Sequence, residues 1–446
     1  MRRYIPLLLA LASCGSDQSL DHDLDPIPLA RAPIVPGGPA TGGLLAQVNT
    51  TQGRQPLLVD TGFPINSFVP DGCAGGGQQG WTYLGAVNVL DGSSTAALRA
   101  SFTNVGLFDV CPGSTGDATT QPAGVLGGSL LANFSVGLTF PRDPAQSASM
   151  RLWPSFPGSD DQLGQDGWVA LRFDLQGSAA AAQGSGESTL SLPNSRIVLA
   201  ACGAPRTFST AEPQETCGKG ESSVKVSGEN LLLALGTGEG PLILSQSAWA
   251  RIAKGLGLAA DSGTLGDLYT PYKPQTGAAT PARFVSLPRL AILQGTTDTS
   301  WLGACAELAR ARRIEWVLAN QSLPDTTACF QPCDTSSGNA IATRPYLELG
   351  GDMVTAVIDE TSEIIRSLNV GVPPHPQVDG IIGAGTLLGT RLQLDYPATP
   401  QGRVIATCDA TTTRDACWVA PSCVASHGQI RACFGQTASV TAAACP

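Results

Sequence analysis

The stretch AGVLGGSLLANFSVGLTFP, Ala123 to Pro141, lies without gaps over DGIIGAGTLLGTRLQLDYP, Asp379 to Pro397. The two share Gly124 and Gly380, Gly127 and Gly383, Leu131 and Leu387, Leu138 and Leu394, and Pro141 and Pro397. Each copy opens on two apolar residues and a glycine, Val125-Leu126-Gly127 or Ile381-Ile382-Gly383, and passes through a short link into an alternating strand that ends in an aromatic residue and proline. Upstream of each stands an apolar strand closed by a turn of small residues, PLLVDTGFPINSFVP (Pro56 to Pro70) in one half and LLLALGTGEGPLILS (Leu231 to Ser245) in the other. Self-similarity in both content and order is the mark of one unit used twice. Short apolar runs bounded by turn residues make that unit a set of strands.

Composition agrees. Hydrophobic residues make up 42% of the 446-residue chain and charged residues only 14%, enough apolar sequence for large cores and for two domains. With 52 glycines and 33 prolines, strands and turns are favoured over helices, and an all-β fold is expected. The net charge of −10 argues against a nucleic-acid partner, which would need a basic patch that the sequence does not show.

The N-terminus MRRYIPLLLALASC has two arginines and then an apolar run, Ile5 to Ala12, far short of the roughly 20 residues of a spanning helix. It reads as an export signal. Its end, LASC, resembles the lipobox of bacterial lipoproteins. That resemblance implies acylation at Cys14 and a lipid anchor in the cell envelope, at the outer membrane on its periplasmic or surface side, with the body in water. A plain secretory signal is the alternative.

Setting Cys14 aside leaves twelve cysteines, an even number that suits disulfides in an oxidising compartment. They fall into groups: Cys73 and Cys111; Cys202 and Cys217; Cys305, Cys329 and Cys333; Cys408, Cys417, Cys423, Cys433 and Cys445. If the first two groups pair internally and all thiols are oxidised, at least one bridge ties the last group to the one before it. A zinc site is disfavoured, because CFQPC (Cys329 to Cys333) has no second close pair and the chain has only His22, His375 and His427. No metal or cofactor is expected.

The expected layout is a signal at 1–14, a flexible tether at 15–40, an N-terminal lobe at 41–150, an interlobe segment at 151–190, a C-terminal lobe at 191–405 and a disulfide-stapled tail at 406–446. GSAAAAQGSGES (Gly177 to Ser188) reads as a loop-like break. LGACAELARARRIEWVLA (Leu302 to Ala319) reads as a helix packed on the second lobe.

On these residues the chain resembles the pepsin-like aspartic peptidases. In that family each of two β-barrel lobes contributes Asp-Thr-Gly after an apolar strand, and an apolar-apolar-Gly strand later crosses behind the loop. Here the first half has Asp60-Thr61-Gly62, FVP downstream (Phe68 to Pro70), and then Val125-Leu126-Gly127. The second has Gly236-Thr237-Gly238, LSQSAWARI (Leu244 to Ile252), similar to the short helix after the family's second loop, and Ile381-Ile382-Gly383. The likeness covers roughly residues 42 to 405 in layout and rests on four short motifs. It implies a bilobal all-β fold, monomeric, with a peptide or protein ligand in the cleft between the lobes.

The second acid of the family is missing. Its chemistry uses two carboxyl groups about 3 Å apart that share one proton, one drawing a proton from water while the other protonates the scissile carbonyl. Gly236 cannot do this. Phe63 replaces the family's small hydroxyl residue after the first loop, and the candidate flap hairpin VNVLDGSSTAALRASF (Val87 to Phe102), turning at Asp91-Gly92, has no tyrosine. Tyr83 lies upstream and reads as core or strand surface. The leading expectation is therefore a pseudopeptidase whose groove binds without cutting. Two others stand beside it: an atypical peptidase pairing Asp60 with Glu239, which lies three residues past Gly236, and a structural envelope lipoprotein. For Glu239 itself the favoured expectation is a solvated turn residue in Gly238-Glu239-Gly240.

Overall fold

The computed structural model describes residues 19–20 and, with short breaks, 26–31, 42–68, 80–107, 124–153, 169–206, 227–268, 280–293, 303–312, 341–369, 377–396 and 403–432. The expectations for Cys14, Cys73, Cys111, Cys217, Cys329, Cys333, Cys433, Cys445 and Tyr83, and for the signal at 1–14, fall outside these residues. Within them the protein is all-β. Two large sheets carry most of the chain, and the helices are few and short.

The repeat is visible in strand register. Strand Gly124–Leu126 runs parallel to strand Gly53–Val59, with Leu126 opposite Val59, and antiparallel to Ser67–Phe68, with Val125 opposite Ser67. Strand Gly380–Gly383 repeats this, parallel to Glu229–Gly236 with Ile382 opposite Leu235, and antiparallel to Leu242–Ser245 with Ile381 opposite Ile243. Under the gapless alignment every one of these pairs maps onto its counterpart. A slip of one residue would turn every side chain to the other face, so identical registers show that the two halves are built alike. The crossing strands Gly124–Leu126 and Gly380–Gly383 and the last four residues of Gly53–Val59 and Glu229–Gly236 are buried throughout, which is why they read as continuous apolar runs instead of alternating ones. Leu57, Val59 and Leu126 join the main core, while Leu45, Leu58 and Val125 form a second cluster on the other side with Phe63 packed against it.

The halves meet edge to edge. Strand Ser135–Phe140 pairs antiparallel with Thr390–Asp395, placing Gly137 directly opposite Gln393. These two positions are equivalent in the repeat, so an approximate two-fold axis passes between them. Around this seam the strands 169–172, 403–408, 390–395, 135–140, 148–153, 27–31 and 44–50 lie side by side in one sheet.

LSQSAWARI runs from the end of strand Leu242–Ser245 into helix Gln246–Leu256. The Ser245 hydroxyl caps it by accepting from the Ala248 amide, Gly257 ends it in the left-handed region at φ 71°, and Trp249 and Ile252 face the core. Hairpin strands Gly85–Leu90 and Ala96–Phe102 form where VNVLDGSSTAALRASF predicts them.

Several expectations are corrected. The range 15–40 is not simply a tether: strand Ile27–Arg31 pairs with both Ala148–Trp153 and Leu44–Thr50, and Ile27 and Leu29 enter the main core. Its IPLAR pattern is short and carries a proline, which hid an alternation that packing makes decisive. In the interlobe range, strand Ala148–Trp153 crosses the boundary at 150, and Ala180–Gln183 pairs with Thr189–Leu192 across the stretch expected to be a break. The tail is not a separate appendage at its start. Strand Arg403–Cys408 belongs to the seam sheet and Cys417–Ala420 pairs with Tyr346–Ile358 in the second sheet, with a Cys408–Cys417 disulfide between them. Cys423 lies in a small sheet further on.

Cys202 pairs with Cys305, not within its own group. Strand Ile197–Gly203 brings Cys202 beside Ala291 in strand Thr280–Leu293, and the helical turn at 304–309 packs Cys305 and Leu308 onto the same cluster. The helix expected over Leu302 to Ala319 is thus shorter in its described part but packs as expected. Beyond it Arg312 reaches back to Glu348, at 2.6 Å, which also binds Arg289 at 3.1 Å. Both partners of the Arg312 pair are largely buried, so breaking it from one side would strand a charge.

Candidate functional site

The two loops Asp60-Thr61-Gly62 and Gly236-Thr237-Gly238 follow directly on the paired strands Gly53–Val59 and Glu229–Gly236, so the same two-fold that orders the strands brings the loops together. They hold each other reciprocally. The Thr61 hydroxyl donates to the Leu235 carbonyl at 2.9 Å, and the Thr237 hydroxyl donates to the Val59 carbonyl at 2.8 Å. In return the Thr61 amide donates to the Thr237 hydroxyl at 3.2 Å and the Thr237 amide to the Thr61 hydroxyl at 3.4 Å. Each bond is the two-fold image of another. Both threonines are buried, so the four bonds have no competition from water.

The crossing strands fix the loops from behind. Gly128 N donates to Phe63 O at 2.7 Å, and its counterpart Ala384 N donates to Glu239 O at 2.8 Å. Phe63 and Glu239 therefore occupy equivalent positions. Gly383 is glycine because a Cβ there would press on the carbonyls of Glu239, Gly240 and Pro241. Likewise a Cβ on Gly62 would lie 2.9 Å from the Gly236 Cα, so the two loop backbones touch where any side chain would separate them.

Asp60 and Glu239 face this contact. Asp60 is 3% exposed and its Oδ1 accepts from the Gly62 amide at 2.7 Å. Glu239 is 4% exposed and its Oε2 has no hydrogen-bond partner. The expectation of a solvated turn residue is overturned: the reversal that puts the Glu239 amide on the Gly236 carbonyl at 3.1 Å turns the side chain inward. The point where a Cβ on residue 236 would stand lies 3.7 Å from Asp60 Oδ1 and 4.0 Å from Glu239 Cγ. Burial holds the Glu239 carboxyl well above the ordinary glutamate range, and the Asp60 charge pushes in the same direction. Burial, with the Asp60 charge second, also raises the Tyr396 phenol, which keeps it neutral.

Of the residues singled out from sequence, Asp60, Thr61, Gly62, Gly236, Thr237, Gly238 and Glu239 are gathered at the two-fold, with Val125-Leu126-Gly127 and Ile381-Ile382-Gly383 immediately behind. One neighbour, Tyr396, was missed, and the part played by Ile381 was not foreseen. Ile381 sets the space above Gly236, its Cγ2 lying 2.7 Å from the position of a Cβ there. Tyr396 shares the buried environment of Asp60, and the aromatic-proline end of the repeat was the signal that could have found it. A cavity of about 270 Å³ lined by Arg142, Gly240, Pro241, Asp352, Met353 and Thr386, among others, borders the same loop but includes neither carboxyl group. No protein-family model and no curated protein matches this chain, so its residues alone carry the functional reading.

Proposed function

We propose that the chain is a bilobal protein of pepsin-like architecture, held at the cell envelope by a lipid on Cys14, whose groove between the lobes receives an extended polypeptide. The observation that carries this reading is the reciprocal bonding of Thr61 and Thr237, which sets two equivalent loops at the meeting line of two halves of equal strand register. A site that lies on such a line is flanked by both halves, and an extended chain laid across it can be gripped from either side through its backbone groups. The net charge of −10 speaks against nucleic acid, and polypeptide is the ligand class that the resemblance to the pepsin-like peptidases implies.

Binding is tested with the mature chain and a pepstatin-type peptide, followed by fluorescence anisotropy and by its effect on melting temperature. Micromolar or tighter binding with a matching rise in melting temperature is expected. No binding by that peptide or by a panel of extended peptides would refute the groove. Incorporation of labelled palmitate, lost in Cys14→Ala, checks the anchor.

A further inference from the structure

We propose that Glu239 supplies the carboxyl group that Gly236 lacks, and that Asp60 and Glu239 together hydrolyse peptide bonds of unfolded polypeptide held in the groove. This rests on the groove reading and adds a reaction to it, where the sequence by itself favoured binding without cutting.

Geometry is the ground. Asp60 Oδ1 and Glu239 Cγ both stand within 4.0 Å of the vacated Cβ position at residue 236, so the second acid arrives in the gap from further along the same loop. Its side chain is 4% exposed and one carboxyl oxygen has no partner. A carboxyl group buried without a partner is costly. At the position two-fold equivalent to Glu239 the chain places Phe63, whose side chain packs on apolar neighbours, so the backbone there does not require an acid. The glycine at 236 matters for the same reason. A side chain there would collide with Ile381 Cγ2 and would crowd the approach of Glu239 to Asp60.

The roles follow from the surroundings of each group. Asp60, with Oδ1 bonded by the Gly62 amide, is the base; Glu239, desolvated and facing the Asp60 charge, holds the proton. A water oxygen attacks the scissile carbonyl carbon, one water proton passes to Asp60, and the Glu239 proton passes to the carbonyl oxygen. The tetrahedral diol then collapses. Its C–N bond breaks, the leaving nitrogen takes the proton from Asp60, and a diol hydroxyl returns its proton to Glu239. One water is consumed, one acid and one amine are released, and both carboxyl groups are restored. Among the described residues the charge that bears on Glu239 is that of Asp60, and Tyr396, which the same charge and burial raise, stays neutral.

The test uses the mature chain and an unfolded, dye-labelled protein substrate across acid and neutral pH, with binding of the same unfolded chain measured separately. Wild type is expected to cleave. Glu239→Gln and Asp60→Asn are each expected to lose about 10²- to 10⁴-fold in kcat while the binding constant stays within a few-fold, the size of effect that follows from losing one positioned acid or base. The double variant should be little worse than either single. Binding without cleavage in wild type overturns this proposal and leaves the groove standing; neither binding nor cleavage overturns both. Unchanged kcat in folded Glu239→Gln also overturns it. If that variant does not fold, the wild-type pH–rate profile decides. An alkaline limb above the ordinary glutamate range supports a buried proton donor, and a rate that is flat through that range refutes it.

Discussion

Replacing Thr237 with valine removes a hydroxyl and little else, since the two side chains have nearly the same shape. The hydroxyl makes two bonds, donating to Val59 O at 2.8 Å and accepting from Thr61 N at 3.2 Å. Thr237 and Thr61 are 0% and 1% exposed, so the carbonyl and the amide left behind gain no water. With each such bond contributing about 1 to 1.5 kcal/mol, the variant should lose about 2 to 3 kcal/mol of stability. Thr61→Val removes the two-fold images of these bonds, at 2.9 and 3.4 Å, and should lose slightly less because its second bond is long. Urea unfolding of the protein reads both, through the shift in midpoint at constant slope. No hydroxyl bond is shared between the two variants, so the double variant should lose at least the sum. Any excess measures how far each threonine positions the other. Losses below about 0.5 kcal/mol, or a large effect at one threonine with none at the other, would refute the reciprocal grip and the equivalence of the two halves.

Three further outcomes are expected. Glu239 has a raised folded-state pKa, so the unfolded chain gives up this proton first, and its contribution to stability is intact at acid pH and declines as pH rises through the folded value. Glu239→Gln should therefore melt higher than wild type at neutral pH, with the gap narrowing toward the ordinary glutamate range; a gap independent of pH would show that the side chain is not buried as a carboxyl. Gly380→Ala should cost about 3 kcal/mol or more by thermal melting, because its Cβ would meet the Ile243 backbone, with Ile243 C at 2.9 Å and Leu244 Cα at 3.1 Å, and main chain inside a sheet cannot yield. Breaking the Cys202–Cys305 bridge with alanine at both positions opens a loop of 103 residues, for which loop-closure entropy gives about 4.7 kcal/mol, read as a fall in melting temperature.

Local chemistry made much of this protein legible. Val125-Leu126-Gly127 and Ile381-Ile382-Gly383 declare buried strands because a strand covered on both faces must be apolar throughout. The strand Gly85–Leu90 and its partner Ala96–Phe102 were legible because apolar residues recur around the turn residues Asp91-Gly92. The gapless repeat fixed the likeness of the two halves, since equal spacing between strand and turn can be satisfied by equal register. Each of these depends on neighbours a few positions apart, and the chain carries that information in order.

What the tertiary structure decided involves partners far apart in sequence. Strand Ile27–Arg31 is too short to announce itself and becomes a strand by lying between Leu44–Thr50 and Ala148–Trp153. Cys202 could have paired with any of several cysteines until the packing of the 304–309 turn brought Cys305 to it. Glu239 is the sharpest case. Gly-Glu-Gly is an ordinary solvated turn in isolation, and nothing near it in the sequence says that the loop of the other half will close over it. The sequence by itself determined that the second loop carries Gly236 where the first carries Asp60; only the folded arrangement, by bringing Asp60 and the space beside Gly236 to the same side chain, determined that the Glu239 carboxyl group stands there.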